Sequence, residues 1–294
     1  MATTAPAAQR VRSRLEKVAS LALHGARALR ARRQLDQLAE RSPVARALVA
    51  LARDQFTAEE RRVLATIERE RARLFARQDE IEWRIEDPLD PATAPAAMRQ
   101  VVGPGARLSS VKPHWGRLLY TLVREVRPKV CVELGACFGM SGMYIQAAQR
   151  HAGAGTFVTF EGSSARAEIA RGMYRQLGFE GSTVVVGDFD RTLAPKIAEL
   201  GRVDLAFIDG NHRLEPTVRY DALIRGSSTE GGVIVHDDIR WSAEMVEAWR
   251  QVVAKPGARA AFDVFRIGII ELGTAADTAP PPIVPAWLGL SHLR

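Results

Sequence analysis

Residues 130–142, VCVELGACFGMSG, decide the fold of this chain. The apolar run that ends at Leu134 predicts a buried strand. Gly135 and Gly139 predict a tight loop before a helix that begins near Met140. A strand, loop and helix of this kind can hold a ligand at the free amides of the helix N-terminus.

Two residues distinguish this stretch from a dinucleotide-binding loop. Cys137 stands where the second glycine of a GxGxxG motif belongs. The Glu133 carboxylate favours a cationic ligand over a pyrophosphate, although it could instead hold the loop by accepting backbone amides. The stretch therefore indicates a ligand that carries positive charge.

The segments after this stretch repeat the alternation of strand and helix. Strands are predicted at 130–134, 156–161, 182–186, 203–208 and 231–236, and a hairpin at 260–265 and 267–272 that turns at Arg266. Helices are predicted near 115–126, 140–150, 164–177, 190–200, 213–225 and 242–253. This order predicts an α/β fold: a doubly wound, Rossmann-like, seven-stranded and mostly parallel sheet with an antiparallel C-terminal hairpin.

An α-helical arm precedes the sheet. A first helix is predicted with apolar residues at 11, 15, 18, 22 and 29, Ser42-Pro43 opens a second, and the capping box Thr57-x-x-Glu60 opens a third. The face of the third helix carries Leu64, Ile67, Leu74 and Ile81. The predicted division is a basic helical arm (1–85), a linker or substrate-loop region (86–112), the sheet domain (113–273) and an irregular, Pro-rich tail (274–294).

The excess positive charge belongs to the arm. The 294 residues have a net charge of +7, and residues 1–85 contain 18 of the 41 Lys and Arg but 11 of the 34 Asp and Glu. The rest of the chain is neutral, which argues against a nucleic-acid enzyme with a basic catalytic face. We expect the arm to pack on the body or on a second copy, which favours a homo-oligomer through the N-terminal helices.

Cysteine usage and hydropathy suggest a compartment. Cys131 and Cys137, the two cysteines of the chain, fall in one predicted strand and its loop, so a reducing cytoplasm fits better than a disulfide framework. No apolar run is long enough to predict a membrane-spanning helix. A cytoplasmic location is therefore the expectation.

Three acids end successive strands, where ligands of such sheets bind. They are Glu133, Glu161 and Asp188. Glu161 is placed to accept hydrogen bonds from two ribose hydroxyls, and Asp188 from an adenine amino group. The sequence therefore predicts a nucleoside ligand.

VELGACFGMSG followed by FEGS resembles the class I S-adenosylmethionine-dependent methyltransferases, and in particular their catechol O-methyltransferase-like, metal-dependent branch. The resemblance covers about residues 113–272. It implies S-adenosylmethionine as cofactor, with the first loop around the methionine moiety, Glu161 at the ribose and Asp188 near the adenine. The predicted cofactor-binding residues are Glu133, Gly135, Ala136, Cys137, Gly139, Ser141, Glu161, Gly162, Ser163, Asp188 and Asp209.

Three further carboxylates end the fourth and fifth strands. Asp209 lies in LAFIDGNH, and Asp237 and Asp238 lie in VIVHDDIRW. Because these strands should be neighbours, the three acids converge and need a cation, and an all-oxygen ligand set favours Mg²⁺ or Mn²⁺. Two alternatives remain open: Asp209 could belong to an ordinary turn, and the acid pair could cap the helix that begins near Ser242.

His212 is the predicted catalytic base. It stands three residues after Asp209, where the resembled branch has a lysine, and it could take the proton from an acceptor hydroxyl. We expect Trp241 to line the substrate pocket, whereas His236 and Trp249 are expected to point into the protein.

The sequence therefore predicts a Mg²⁺-dependent O-methyltransferase acting on a sugar or phenolic hydroxyl of a small natural product. Two alternatives are an RNA methyltransferase that uses the basic arm, and a non-catalytic scaffold that keeps the fold.

Overall fold

The computed structural model describes residues 29–286 apart from residues 93, 180 and 275. Residues 29–39 are helical. The helices that follow are α1 (Pro43–Ala52), α2 (Ala58–Ala76), α3 (Val102–Ser109), α4 (Pro113–Val126), α5 (Met140–His151), α6 (Ser164–Gln176), α7 (Phe189–Leu200), α8 (Leu214–Gly226) and α9 (Ala243–Ala254). The strands are β1 (Glu80–Trp83), β2 (Met98–Val101), β3 (Val130–Leu134), β4 (Thr156–Glu161), β5 (Ser182–Val186), β6 (Val203–Ile208), β7 (Ser228–His236), β8 (Ala258–Val264), β9 (Ile267–Leu272) and β10 (Ile283–Val284).

Two predicted segments lie wholly or partly beyond these limits. The first predicted helix, up to residue 28, and residues 287–294 of the predicted tail are outside the described residues.

The main sheet of the described chain holds eight strands in the order β10-β8-β9-β7-β6-β3-β4-β5. Strands β3 to β7 run parallel, and β9 is antiparallel to both β7 and β8. The predicted parallel sheet with a C-terminal antiparallel hairpin is therefore confirmed. The tail is not irregular throughout: β10 adds an eighth strand beside β8, because Val284 is buried against the core.

The strand order reverses at β3, which pairs with β4 on one side and β6 on the other. A crevice opens at such a switch point, outside the carboxyl ends of the strands. The loops after β3, β4, β5, β6 and β7 meet there, and they carry the predicted site residues.

An apolar layer covers each face of the sheet. Helices α7, α8 and α9 cover one face with side chains such as Leu193, Ile224 and Val252. The other layer contains residues of α4, α5 and α6 together with Leu48 and Ile67 from the N-terminal helices. The described part of the arm therefore belongs to the core of the sheet domain.

Helices α1 and α2 are fixed to the body by polar contacts as well. Ser42 caps α1 and also donates a hydrogen bond to Glu271 of β9 at 2.5 Å. In α2, Arg71 is buried and donates to the Val111 carbonyl at 2.6 Å and to the Tyr144 hydroxyl at 3.1 Å. The predicted packing of the arm on the body is present in the structure.

The prediction that residues 1–85 are helical throughout is wrong at their end. Helix α2 stops at Ala76, and β1 pairs with β2 in an antiparallel ribbon in which Ile81 lies opposite Gln100. Ile81 fits the helical spacing of the preceding apolar residues, but pairing with β2 overrides that local pattern. The predicted linker accordingly contains β2 and α3.

Among the described residues, no helix combines the length and apolar character needed to cross a membrane.

Candidate active site

The loop after β3 adopts the backbone that the sequence predicts. Gly135 has φ +100°, Cys137 φ +48° and Gly139 φ +87°, all in the left-handed region. A Cβ on Gly135 would lie 2.1 Å from the Asp209 carbonyl oxygen, so only glycine lets the first loop approach the loop after β6. Gly139 is then the N-cap of α5, so the unpaired amides of the first helical turn follow directly after this loop.

Glu133 lies beneath this loop and is fully buried. The Thr159 hydroxyl donates to its Oε2 at 2.6 Å, and Oε1 has no hydrogen-bond partner among the described residues. Burial raises the pKa of Glu133 to about 7, against the opposing effect of the nearby Ser141 and Thr159 hydroxyls. A buried carboxylate with an unsatisfied oxygen fits a role near a cationic ligand.

Glu161, at the end of β4, organises the loop and lines the crevice. Its Oε2 accepts the Cys137 amide at 2.7 Å and its Oε1 accepts the Ser163 amide at 3.0 Å. Each carboxylate oxygen keeps a second lone pair for a ligand hydroxyl. Ser163 caps α6, and Gly162 packs under Ile85 so closely that a Cβ would lie 2.5 Å from its Cδ1.

Asp188 has two partners inside the protein. Its Oδ1 accepts the Asp190 amide at 3.0 Å, which caps α7, and its Oδ2 accepts the Leu89 amide at 2.9 Å. The segment before β2 is thereby fastened across the end of β5. The Asp188 carboxylate, which is predicted to contact the adenine, therefore also has a structural role.

The acids after β6 and β7 converge as predicted. The Nε2 atom of His212 lies 3.5 Å from Asp209 Oδ1 and 3.9 Å from Asp238 Oδ2. Asp237 is buried, and its amide donates to the carbonyl of Ile208 at 3.0 Å. The alternative that the acid pair caps α9 does not hold, because Ser242 itself caps this helix.

A fifth residue, Arg266, enters the cluster, and the sequence analysis missed it. Its Nε donates to Asp237 Oδ1 at 2.8 Å and its Nη2 to Asp237 Oδ2 at 2.5 Å. Its Nε also lies 3.1 Å from Asp238 Oδ1. The guanidinium thus binds two of the three predicted metal ligands.

The surroundings of the two cavity-facing acids raise their pKa values. Burial, followed by the Asp237 carboxylate, raises the pKa of Asp209 well above its ordinary value, and Arg266 opposes the shift. Burial and Asp237 also raise the pKa of Asp238, against the effects of Arg266 and His212. Arg266 therefore reduces these upward pKa shifts without abolishing them.

The residues present do not fit a divalent cation in this arrangement. Within the described part of the chain, no group of three or more His, Cys, Asp or Glu side chains is disposed to hold a metal ion. Mg²⁺ needs an octahedron of oxygens at about 2.0–2.1 Å, and both oxygens of Asp237 are engaged by Arg266.

A cavity of about 1140 Å³ joins the two halves of the site. Among the predicted residues, those that line it are Gly135, Cys137, Glu161, Gly162, Asp188, Asp209, His212 and Asp238. The others lie buried behind its wall: Glu133, Ala136, Gly139, Ser141, Ser163 and Asp237. Trp241 lines the cavity as expected and is 73% exposed.

His236 and Trp249 are buried in the protein, as expected. His236 is buried, with Nε2 3.2 Å from Asp221 Oδ1, and its ring lies beside that of Trp249. Burial raises the pKa of the Cys137 thiol to about 12, so this cysteine is not a thiolate nucleophile at neutral pH.

Comparison with known proteins agrees with the fold. Residues 132–239 match a family model described as a methyltransferase domain. That segment runs from β3 to just past β7 and includes Asp209, His212, Asp237 and Asp238. A search of curated proteins finds no match. The match over residues 132–239 agrees with the predicted methyltransferase domain.

Solved structures resemble this chain in fold. An O-methyltransferase from Bacillus cereus, in complex with SAH, is 18% identical with a TM-score of 0.51, covering 72% of this chain and 90% of that chain. The O-methyltransferase TomG from Streptomyces achromogenes, involved in tomaymycin synthesis and in complex with SAM, is 20% identical with a TM-score of 0.50, covering 56% and 82%. SAH-bound methyltransferase PaMTH1 from Podospora anserina is 18% identical with a TM-score of 0.50, covering 58% and 82%.

Proposed function

We propose that this protein transfers a methyl group from S-adenosylmethionine to a hydroxyl oxygen of a small molecule. One observation carries the proposal. A single cavity is lined both by the acids that suit a nucleoside, Glu161 and Asp188, and by His212 with its neighbouring carboxylates. Cofactor and acceptor can therefore occupy adjoining parts of one space.

The residues of the cofactor half fit S-adenosylmethionine. When bound, this cofactor supplies an electrophilic methyl group on a positively charged sulfur. Glu161 offers carboxylate oxygens to the ribose hydroxyls, and Asp188 offers one to the adenine amino group. Glu133, behind the loop, adds negative charge near the methionine end.

The acceptor half supplies a base. His212 accepts the proton of the acceptor hydroxyl at Nε2 as the new oxygen–carbon bond forms and the sulfur–carbon bond breaks. The carboxylates of Asp209 and Asp238, with oxygens 3.5 Å and 3.9 Å from that nitrogen, stabilise the imidazolium that results. A positioned base of this kind contributes roughly 10²–10⁴-fold to the rate.

The lining of the cavity supports a small acceptor with an apolar part. Trp241 is 73% exposed, Leu89 53% and Leu108 89%, and all three line the cavity. Large exposed apolar side chains around a polar floor are typical of ligand pockets. We therefore propose a phenolic or sugar hydroxyl of a natural product as the acceptor.

Two partner and location predictions remain proposals. The described N-terminal helices bury apolar residues against their own chain. Light scattering of the full chain over a range of concentrations tests whether these helices also form a homo-oligomer. A cytoplasmic location is tested by cell fractionation.

Calorimetry and mass spectrometry test the proposed reaction. Wild-type protein should bind S-adenosylmethionine, and in a panel of phenols and glycosides it should add one labelled methyl group to a hydroxyl-bearing compound. Absence of cofactor binding would leave a scaffold role, and methylation of RNA alone would favour the alternative enzyme.

The His212→Ala variant separates binding from chemistry. It should bind the cofactor with wild-type affinity and lose roughly 10²–10⁴-fold in kcat, because the acceptor keeps its proton. The matched control is His151→Ala, which changes an exposed histidine at the end of α5. A wild-type kcat in His212→Ala would contradict the assignment of the base.

A further inference from the structure

Arg266 is held in place by the fold of its hairpin. It lies in the turn between β8 and β9, and its carbonyl oxygen accepts the Ile239 amide at 3.0 Å. The preceding Phe265 has φ +72°, which is strained for a large side chain, and its amide is held by Asp263 Oδ1 at 2.8 Å. The turn is therefore built to direct the arginine back toward the end of β7.

The guanidinium contacts two of the three acids that were predicted to hold a metal. Arg266 binds both oxygens of Asp237 in the parallel, two-bond geometry that is specific to arginine, and Nε contacts Asp238 as well. Asp237 is 1% exposed, so water does not substitute for this partner. Losing it would leave a buried, uncompensated carboxylate, which is strongly unfavourable.

A guanidinium and a divalent cation compete for this position. Arginine stays protonated at any ordinary pH, so it cannot become neutral to admit a metal. Two cations that share Asp237 would repel each other at short range. The acid cluster therefore holds either the guanidinium or a divalent cation, but not both.

We propose that Arg266 takes the place of a divalent cation in this protein, so that the methyl transfer proceeds without a metal. The inference rests on the function proposed above and adds a positioning residue to it. Arg266 fixes Asp237 and Asp238, and through Asp238 it helps to define the position of His212. Activation of the acceptor hydroxyl is then the task of His212, because no metal coordinates the oxygen.

Titration with Mn²⁺, followed by electron paramagnetic resonance, tests this proposal without any turnover. Wild-type protein should bind no stoichiometric Mn²⁺. In Arg266→Ala the three carboxylates lose their cation, and one Mn²⁺ per chain should bind with a Kd at least about tenfold lower than any wild-type value. The double variant Arg266→Ala/Asp237→Asn should lose that site.

The matched control is Arg202→Ala. Arg202 pairs with Asp204 near the opposite end of β6, so its removal also breaks an arginine–aspartate pair but leaves the site cluster intact. This variant should behave as the wild type does in the Mn²⁺ titration.

Two wild-type measurements keep the test independent of whether the variants fold. Turnover on the acceptor should survive EDTA, and calorimetric binding of S-adenosylmethionine should be unchanged by it. One tightly bound Mn²⁺ in the wild type, abolished by Asp237→Asn, would overturn the proposal, as would loss of turnover in EDTA that Mg²⁺ restores. Failure of cofactor binding would instead contradict the proposed function itself.

Discussion

Glu133 and Glu161 end neighbouring strands, yet their carboxylates have different environments. Glu133 is fully buried and receives one hydroxyl hydrogen bond, whereas Glu161 faces the cavity and receives two backbone amides. The sequence pattern predicted both as cofactor residues, because it shows that an acid ends each strand. It could not show how deep each acid lies, which depends on the loop packed above it.

Replacing Glu133 with glutamine should remove a pH-dependent loss of stability in the cofactor-free protein. Burial raises the pKa of Glu133 from 4.5 to about 7, so the folded state binds this proton more tightly than the unfolded state. Wild-type stability should therefore fall as the pH rises through this interval, by about 3 kcal/mol in total at 1.36 kcal/mol per pKa unit.

Urea denaturation at pH 5 and pH 8 measures this effect. The difference in stability between Glu133→Gln and the wild type should be larger at pH 8 than at pH 5. The control is Glu82→Gln, at an exposed position of β1, whose stability relative to the wild type should be the same at both pH values. The same pH dependence in wild type and Glu133→Gln would contradict the prediction.

Arg266 shows where prediction of the site from sequence stopped. The sequence placed a hairpin turn at Arg266 but gave its side chain no role, because no motif links it to acids almost thirty residues earlier. The signal lies in the register: His236 pairs with Gly268, so the turn comes back beside Asp237 and Asp238. A basic residue in a turn next to a strand that ends in acids would have indicated the contact.

At the scale of the elements, prediction succeeded where burial and local pattern agree. The strands of the sheet domain begin and end within three residues of their predicted limits, because each apolar run is bounded by polar or glycine residues. The ribbon of β1 and β2 was missed because its residues alternate weakly between exposed and half-buried positions. Such short strands are defined by their partner rather than by their own sequence.

The capping box of α2 permits a quantitative test. Thr57 accepts the Glu60 amide, and Glu60 accepts the Thr57 amide at 2.7 Å. Thr57→Ala should reduce the free energy of unfolding by about 1 kcal/mol, because one amide at the helix start loses its partner. The control is Thr66→Ala, a half-buried position in the middle of the same helix that caps no helix end, which should change stability by less than about 0.5 kcal/mol. Equal effects in chemical denaturation would contradict a capping role.

At the scale of the molecule, the N-terminal helices and the sheet domain form one core. Leu48 and Ile67 are fully buried in the same apolar layer as residues of α4 and α5. The sequence suggested that residues 1–85 form an appendage, because their net charge and the period of their apolar residues differ from those of the rest of the chain. Charge and period describe the exposed side of the helices. Whether the helices pack on the sheet domain is decided by their buried side.

This shared core predicts one cooperative transition. Leu48→Ala should destabilise the protein by about 2–5 kcal/mol, because it leaves a cavity in a fully buried position. The Tm measured by calorimetry and the Tm measured by circular dichroism should fall by the same amount. Leu108→Ala, at an 89% exposed position, should leave the Tm close to that of the wild type. Two separate transitions in the variant would show that the helices unfold on their own.

The hydrogen bond between Ser42 and Glu271 joins residues 229 positions apart and is buried. On the ribosome, the start of the chain emerges long before β9 has been synthesised. Until nearly the whole described chain has been synthesised, the capping serine of helix α1 and part of its buried face therefore lack their final partners. Early release or truncation before β9 would leave that apolar face open to chaperones or to other nascent chains.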